Sequence, residues 1–248
     1  MIVIKLCDNR GVCIDHIEEL LKNKNIGIML SDGADSTMAF YLMAKYIDEL
    51  NLHDSHTLLP IHYNCVNINR PYPDDSVTLM KKVVTIVKEL FPKVTIYDPV
   101  VKDYFDLNNH EIWVSKRIYW KDYRKRLIES GVVDVILKGG ISDPYDEEPT
   151  VDPTDILDDP ILKRSHEKHK GPLMMADKRF VGWCYRKFNL MDSLYPLTRT
   201  CVFPDNNGNP CKKCSGCQEK YYGFGCYDKG AKGGAWDERY SYYDYDAI

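Results

Sequence analysis

The sequence lacks any run of apolar residues long enough to cross a membrane. Its short apolar beginning is interrupted by Lys5 and followed by Asp8 rather than by a cleavage site, so no export signal is predicted. An excess of positive charge is also missing. The formal net charge of −4 at pH 7 argues against binding along a nucleic-acid backbone. We therefore expect a cytoplasmic protein that binds a small molecule, with no membrane partner and no nucleic-acid partner.

The chain has 248 residues, of which 44% are hydrophobic, and this suffices for a substantial core. Strand-like and helix-like patterns alternate along it, which predicts an α/β protein with a doubly wound, mostly parallel sheet. The predicted strands lie at 2–6, 26–30, 57–63, 94–97 and 132–137. The predicted helices lie at 13–21, 36–47, 76–91, 115–128 and 173–188, and Ser76 is the expected cap of the third.

Residues 26–36 predict a strand, a tight turn and the start of a helix. Backbone N–H groups at the start of a helix are unpaired, and the helix dipole favours negative charge there, so phosphate is the expected ligand. Asp35 can cap the helix or bind magnesium. An ordinary capped turn without a ligand explains the pattern as well. The candidate phosphate-binding residues are Ser31, Asp32, Gly33, Ala34, Asp35 and Ser36.

Ligands of open α/β sheets bind outside the carboxyl ends of the strands, which makes residues at those ends candidates. His62 and Tyr63 follow the second of the main strands, although a histidine in such a position is more often structural. Gly139 and Gly140 follow the last strand and allow a close backbone approach to a ligand. A plain turn accounts for the two glycines equally well.

Two other stretches have unusual composition. Residues 142–160 are acidic and proline-rich and residues 163–170 are basic, which is typical of a substrate lid or of a solvated loop. The tail after Gly233 is rich in tyrosine and aspartate, and it packs on the body of the protein or on a partner.

Four of the nine cysteines form a cluster late in the sequence: Cys201, Cys211, Cys214 and Cys217. Each Cys-X-X-Cys turn brings two sulfurs to one ion, and the loop at 208–210 returns Cys201 to the fourth position. Zinc satisfies this set without redox chemistry, and an iron–sulfur cluster is the alternative with the same ligands. Four thiolates leave no open position, so the ion is expected to be structural.

The turn resembles the Ser-Gly-Gly-X-Asp-Ser pyrophosphate loop of the PP-loop ATP pyrophosphatases. Ser31, Gly33, Asp35 and Ser36 match this motif, and Asp32 replaces its first glycine. The resemblance implies a fold of the adenine nucleotide α-hydrolase type. It also implies cleavage of ATP between its α- and β-phosphates, with adenylation of a substrate oxygen.

The C-terminal segments Leu197–Cys201, Pro210–Cys217 and Gly223–Phe224 are similar to the zinc signature of the 7-cyano-7-deazaguanine synthases of queuosine biosynthesis. In that family the four cysteines follow a pyrophosphate loop in this order and at nearly these spacings. Lys178 lies where such enzymes carry a lysine ahead of the signature. The chain departs from the family pattern after Tyr63 and after Gly140, in segments that would touch the substrate.

This resemblance implies an ATP-dependent ligase with magnesium and structural zinc. It would activate the carboxylate of 7-carboxy-7-deazaguanine as an adenylate for attack by ammonia, with Asp35 at the magnesium and Lys178 at the pyrophosphate as the catalytic residues. Residues 1–172 would form the nucleotide-binding domain and residues 173–248 the zinc-binding region, and a homodimer is compatible with this reading. Two alternatives stay open: another amidating or nucleobase-thiolating PP-loop enzyme, with Cys65 or Cys184 as sulfur carrier, and a non-catalytic nucleotide-binding zinc domain.

Overall fold

The computed structural model of the chain describes residues 21–67, 76–106, 122–141, 171–173, 176–201, 204–205 and 207–228. Several predicted features lie outside these residues. They are the strand at 2–6, nearly all of the helix at 13–21, the beginning of the helix at 115–128, the loop at 142–170 and the tyrosine-rich tail.

The described strands form one sheet in which every pairing is parallel. Strand β1 (Asn25–Met29) lies between β2 (Thr57–Asn67) and β5 (Val135–Lys138). Both β3 (Thr95–Ile96) and β4 (Val100–Asp106) pair with the other edge of β2. The predicted α/β class with a mostly parallel sheet is therefore confirmed.

Strands β3 and β4 are two parts of one edge. Thr57 is opposite Thr95, whereas Ile61 is opposite Val100, so the partner strand has one more residue than β2 between these two pairs. The sequence predicted the first part, at 94–97, and missed β4. Strand β2 is also longer than its predicted span of 57–63, because β4 pairs with its second half.

The helices cover both faces of the sheet. They are α1 (Ala34–Glu49), α2 (Ser76–Leu90), α3 (122–129), α4 (Lys178–Lys187), a 3-10 helix (Tyr195–Leu197) and α5 (Ser215–Phe224). Helix α4 begins later than the predicted 173, because Asp177 is extended (φ −93°, ψ 176°) and its side chain accepts a hydrogen bond from Phe180 N. An N-cap of this kind fixes the start of a helix.

The core has a large part on one face of the sheet and a small part on the other. Side chains of β1, α1, α2 and α4 share the large part, which includes Ile26, Ile28 and Tyr185. On the opposite face, Leu59 and Ile136 belong to the small part, against which α3 packs. Residues on both sides of the predicted domain boundary at 172 thus contribute to one core, and the boundary itself stays a prediction. None of the described helices has the length and apolarity that crossing a membrane requires.

Candidate functional site

The turn between β1 and α1 lies at the carboxyl end of a central strand and is held by its own hydroxyl groups. Ser36 Oγ accepts a hydrogen bond from Ser31 N at 3.1 Å and lies 2.8 Å from Ser31 Oγ. It also lies within hydrogen-bond distance of the carbonyl oxygens of Ser31 and Gly33, and Gly33 N donates to Ser31 Oγ. Hydrogen bonds within the turn therefore hold it in a defined shape. We call residues 31–36 the phosphate loop.

Helix α1 begins without a side-chain cap. Its N-cap residue is Gly33, with extended backbone angles (φ −81°, ψ 152°), and a glycine has no side chain with which to cap the helix. Asp35 lies in the first turn of the helix, so it is not the capping residue. An uncapped helix end with small residues around it suits an anion, because its N–H groups are available and the dipole favours negative charge.

Asp35 and Glu219 bind the same buried lysine. Lys178 Nζ, at the start of α4, lies 2.6 Å from Asp35 Oδ2 and 2.8 Å from Glu219 Oε1, and the lysine side chain is 2% exposed. The other oxygen, Asp35 Oδ1, is buried and has no hydrogen-bond partner among the described residues. Burial raises the pKa of the Asp35 carboxyl, and neighbouring Lys178 opposes this increase. The site thus contains a cation beside the phosphate loop and a carboxylate oxygen that is free to bind a metal ion.

The C-terminal part of the chain closes the phosphate loop from a second direction. Arg199 N donates to Asp32 O at 2.6 Å, and Tyr185 OH donates to Ala34 O at 3.0 Å. Both donors come from segments more than a hundred residues after the loop. The loop is therefore shaped by distant parts of the chain as well as by its own hydroxyls.

The other strand-end candidates have mixed positions. His62 is buried, and its Nδ1 and Nε2 lie 2.8 Å from Leu30 O and 3.3 Å from Ser76 Oγ, so its ring joins β1 to α2. Tyr63 packs edge-on against Tyr123 of α3, with ring centroids 6.0 Å apart. These contacts give both residues a structural role, and their assignment to nucleotide binding stays a prediction.

The two glycines after β5 have different surroundings. A Cβ on Gly139 would lie 2.3 Å from Ser36 Cα, so the end of β5 directly contacts the backbone of the phosphate loop. A Cβ on Gly140 would meet nothing within 4 Å among the described residues. A glycine is therefore needed at position 139, because the backbones of β5 and the phosphate loop approach too closely for a side chain. Among the described residues, nothing restricts a side chain at position 140.

The four clustered cysteines converge on one point. Their Sγ atoms all lie within 4.8 Å of one another, and those of Cys211 and Cys217 are 3.9 Å apart. A tetrahedral zinc with Zn–S bonds of about 2.3 Å requires sulfurs about 3.8 Å apart. A four-iron cluster requires a wider set, because each sulfur binds a different iron. The arrangement therefore fits a single ion.

Backbone N–H groups point at two of these sulfurs. Cys211 N donates to Cys201 Sγ at 3.1 Å, and Cys214 N donates to Cys211 Sγ at 3.4 Å. Backbone hydrogen bonds from Lys213 and Cys214 lower the pKa of Cys211 to about 6, whereas burial raises the pKa of Cys217. Such N–H groups stabilise thiolates, which are the metal-binding form of cysteine.

The cysteines that a thiolating enzyme would need are less well placed. Cys184 is fully buried in the core, and burial raises the pKa of its thiol well above the ordinary value. A thiol in this position does not reach a substrate. The side chain of Cys65 is not among those that the structure describes.

Sequence reasoning missed three residues that contact the phosphate loop or its lysine: Tyr185, Arg199 and Glu219. Glu219 had a signal in principle, because it follows Cys217 by two positions in a helix that the cysteines organise. The others act through backbone groups or across long sequence distances, and no local pattern indicates them.

The chain can be compared with known protein families, curated proteins and solved structures. No protein-family model and no curated protein matches the chain. Among solved structures, it is similar to the U34-tRNA thiolase NcsA from Methanococcus maripaludis with its [4Fe-4S] cluster, at 12% sequence identity and a TM-score of 0.33. The alignment covers 83% of this chain and 86% of that chain. A likeness at this level carries no argument about function, which therefore rests on the residues of the two sites.

Proposed function

We propose that the chain is a PP-loop enzyme that binds ATP with magnesium at the phosphate loop and releases AMP and pyrophosphate. The supporting observation is the loop itself. It is a hydroxyl-held turn at the carboxyl end of a central parallel strand, with an uncapped helix behind it and a buried lysine beside it. The motif Ser31-Asp32-Gly33-Ala34-Asp35-Ser36 adds the resemblance to pyrophosphate loops.

The charges of the site call for a divalent cation. Asp35 and Glu219 place two carboxylates on the buried ammonium of Lys178, and a triphosphate adds further negative charge. Magnesium prefers carboxylate and phosphate oxygens, and Asp35 Oδ1 is the oxygen available to it. Binding of the metal at Asp35 would weaken that residue's pairing with Lys178 and leave the ammonium for the pyrophosphate.

The proposed chemistry is adenylation of a carboxylate, followed by attack of ammonia. An oxygen of a carboxylate is a poor leaving group and AMP is a good one, so adenylation is what the reaction needs. The protein then contributes positioning and charge neutralisation, and no protein nucleophile is required. The proposed acceptor is 7-carboxy-7-deazaguanine, by the likeness of the C-terminal cysteine segment to that of the 7-cyano-7-deazaguanine synthases.

The four cysteines would hold zinc as a structural ion. All four positions of a tetrahedron are filled by thiolates, so no position is open for substrate or water. The ion would fix the start of α5, which carries Glu219, and the segment that contains Arg199.

The test measures AMP and pyrophosphate after incubation with ATP and magnesium, with and without 7-carboxy-7-deazaguanine and ammonia. We expect both products only with the acid, and an amidated or dehydrated acceptor only with ammonia. Replacement of ammonia by a sulfur donor, and of the acid by tRNA, tests the thiolation alternative in the same assay. ATP binding without AMP release under any condition would leave a non-catalytic nucleotide-binding domain.

A matched pair of variants ties the activity to the loop. Ser36→Ala removes a hydroxyl that shapes the loop, and we expect a loss of roughly 1.5–3 kcal/mol in transition-state stabilisation. Ser130→Ala is the control, because that hydroxyl hydrogen-bonds only Leu127 O at the end of α3. Equal activities of the two variants would place the reaction outside the phosphate loop.

A further inference from the structure

Asp228 connects two backbone N–H groups to a buried lysine. Its Oδ2 accepts hydrogen bonds from Thr200 N at 2.7 Å and from Cys201 N at 2.8 Å. Its Oδ1 lies 2.6 Å from Lys220 Nζ, and the aspartate side chain is 5% exposed. One carboxylate thus holds the backbone of a cysteine in the cluster and a side chain of α5.

Lys220 holds the same segment at its other end. The lysine lies on α5, three residues after Cys217, and its Nζ donates to Thr198 Oγ1 at 2.6 Å and to Thr198 O at 3.2 Å. A Cβ on Gly216, in the first turn of α5, would lie 2.2 Å from Thr200 O. The segment Thr198–Cys201 therefore lies directly on α5 and is fixed there at several points.

This attachment matters because the cysteines come from two separate pieces of chain. Cys211, Cys214 and Cys217 lie within one short turn and the start of α5, and local backbone geometry sets their relative positions. Cys201 belongs to another segment, and its Sγ reaches the cluster only if that segment is held against α5. The contacts that hold it there include those of Asp228, Lys220 and Gly216, and Cys211 N donates a hydrogen bond to Cys201 Sγ itself.

We propose that Asp228 is a positioning residue of the metal centre, which orients Cys201 for binding an ion together with the other three cysteines. The inference rests on the proposed metal site. Outer residues that orient metal ligands typically change metal affinity by about 10–100-fold when they are replaced. Asn at position 228 has a single acceptor oxygen, so it cannot both accept the two N–H groups and bind Lys220.

The experiment measures the zinc dissociation constant of the full chain by competition with a chromogenic chelator. The variants are Asp228→Asn and, as a matched control, Asp134→Asn. Asp134 Oδ2 also accepts two successive backbone N–H groups, from Lys24 and Asn25, at 2.9 and 2.8 Å. We expect the dissociation constant to rise about 10–100-fold in Asp228→Asn and to stay within about threefold of the parent in Asp134→Asn.

Cobalt in place of zinc supplies a readout that a general loss of stability does not change. Absorption of a cobalt–thiolate site reports the number of bound sulfurs, and we expect Asp228→Asn to lose part of the four-thiolate spectrum while Asp134→Asn keeps it. A dissociation constant within threefold of the control, or an unchanged cobalt spectrum, overturns the inference. If Asp228→Asn does not fold, Thr198→Val replaces it, since it removes one hydrogen bond of Lys220, and we expect a smaller increase of at least about threefold.

The parent protein separates the two hypotheses. A parent that binds neither zinc nor cobalt overturns the metal site of the proposed function together with the role of Asp228. A parent that binds zinc tightly, with Asp228→Asn and Asp134→Asn indistinguishable, overturns the role of Asp228 alone.

Discussion

The phosphate loop and the cysteine cluster are organised by opposite means. In the loop, neutral hydroxyls and backbone groups satisfy one another. In the cluster, four sulfurs lie within 4.8 Å of one another, and as thiolates they repel unless a cation lies between them. The segment Thr198–Cys201 takes part in both, through Arg199 N at the loop and Cys201 Sγ at the cluster. A turn held by neutral groups and a cluster of thiols that could hold a cation thus share one piece of backbone.

The largest expected effect is the loss of a cysteine ligand. Cys214→Ser should abolish tight zinc binding and cost about 3 kcal/mol or more of folding free energy, which corresponds to a decrease in Tm of roughly 6–12 °C. Metal analysis and thermal unfolding measure the two quantities. Cys226→Ser is the control, because Cys226 Sγ contacts Tyr195 OH and lies outside the four-sulfur set. Equal metal content in both variants would contradict an ion at the cluster.

Next in size is an added methyl group at the contact between β5 and the phosphate loop. Gly139→Ala would place Cβ 2.3 Å from Ser36 Cα, and we expect about 3 kcal/mol of destabilisation with loss of ATP binding. Gly140→Ala adds the same methyl group where no described residue lies within 4 Å, so it should leave the stability unchanged. Denaturant unfolding and calorimetric titration with ATP provide the comparison. A loop that tolerated Gly139→Ala would be less rigid than its hydrogen bonds indicate.

A smaller effect is expected where the two regions meet at Lys178. Lys178→Met leaves Asp35 and Glu219 without their shared cation. Their side chains are 22% and 25% exposed, so we expect a cost of about 2 kcal/mol rather than the 3–5 kcal/mol of a fully buried pair. ATP binding should fall as well. Lys45→Met, which breaks the i,i+4 pair with Glu49 on α1, should cost about 0.5 kcal/mol or less. Unfolding free energies and ATP affinities of the two variants decide between them, and equal losses would remove the special role of Lys178.

The smallest effect concerns Asp32, the residue that departs from the pyrophosphate-loop motif. Asp32→Gly should leave ATP affinity unchanged or tighten it by less than about 1 kcal/mol, because it removes a carboxylate near the phosphates and keeps the backbone oxygen that accepts from Arg199. Asp54→Gly, at a side chain that is 96% exposed, is the control in the same calorimetric titration. A marked loss of affinity in Asp32→Gly alone would show that the carboxylate is a magnesium ligand.

Local sequence signals were sufficient for most of the helices and strands, but they did not show which of them would pack together. The apolar run before Ser31 predicted β1, and the spacing of the cysteines predicted the cluster, because each depends on neighbouring residues. Strand β4 was missed because Lys102 and Asp103 interrupt the apolar pattern that predicts a strand. Its pairing with β2 is evident only in the structure.

Local sequence patterns also do not show which charged residues pair or which residue caps a helix. Nothing near Lys178 in the sequence indicates Glu219 or Asp35 as its partners, and only the packing of α4 on α5 and on α1 brings them together. The predicted helix begins at Leu173, before the true start of α4 at Lys178. The prediction was too early because hydrophobic periodicity does not show that Asp177 caps the helix. The sequence shows the chemical type of each residue, but it does not show which distant residues lie next to it in the fold.

The hydrogen bond from Arg199 N to Asp32 O joins the phosphate loop to a residue that is synthesised much later than the loop itself. During synthesis, the strand, turn and helix around Asp32 leave the ribosome long before the residues that close the turn from outside. Tyr185, Arg199 and Lys178 follow only near the end of the described chain, and Asp228 later still. A nascent chain that stops before α4 therefore carries the complete phosphate-loop motif but not a complete binding site, and nucleotide binding by such fragments should first appear when the C-terminal segment has been added.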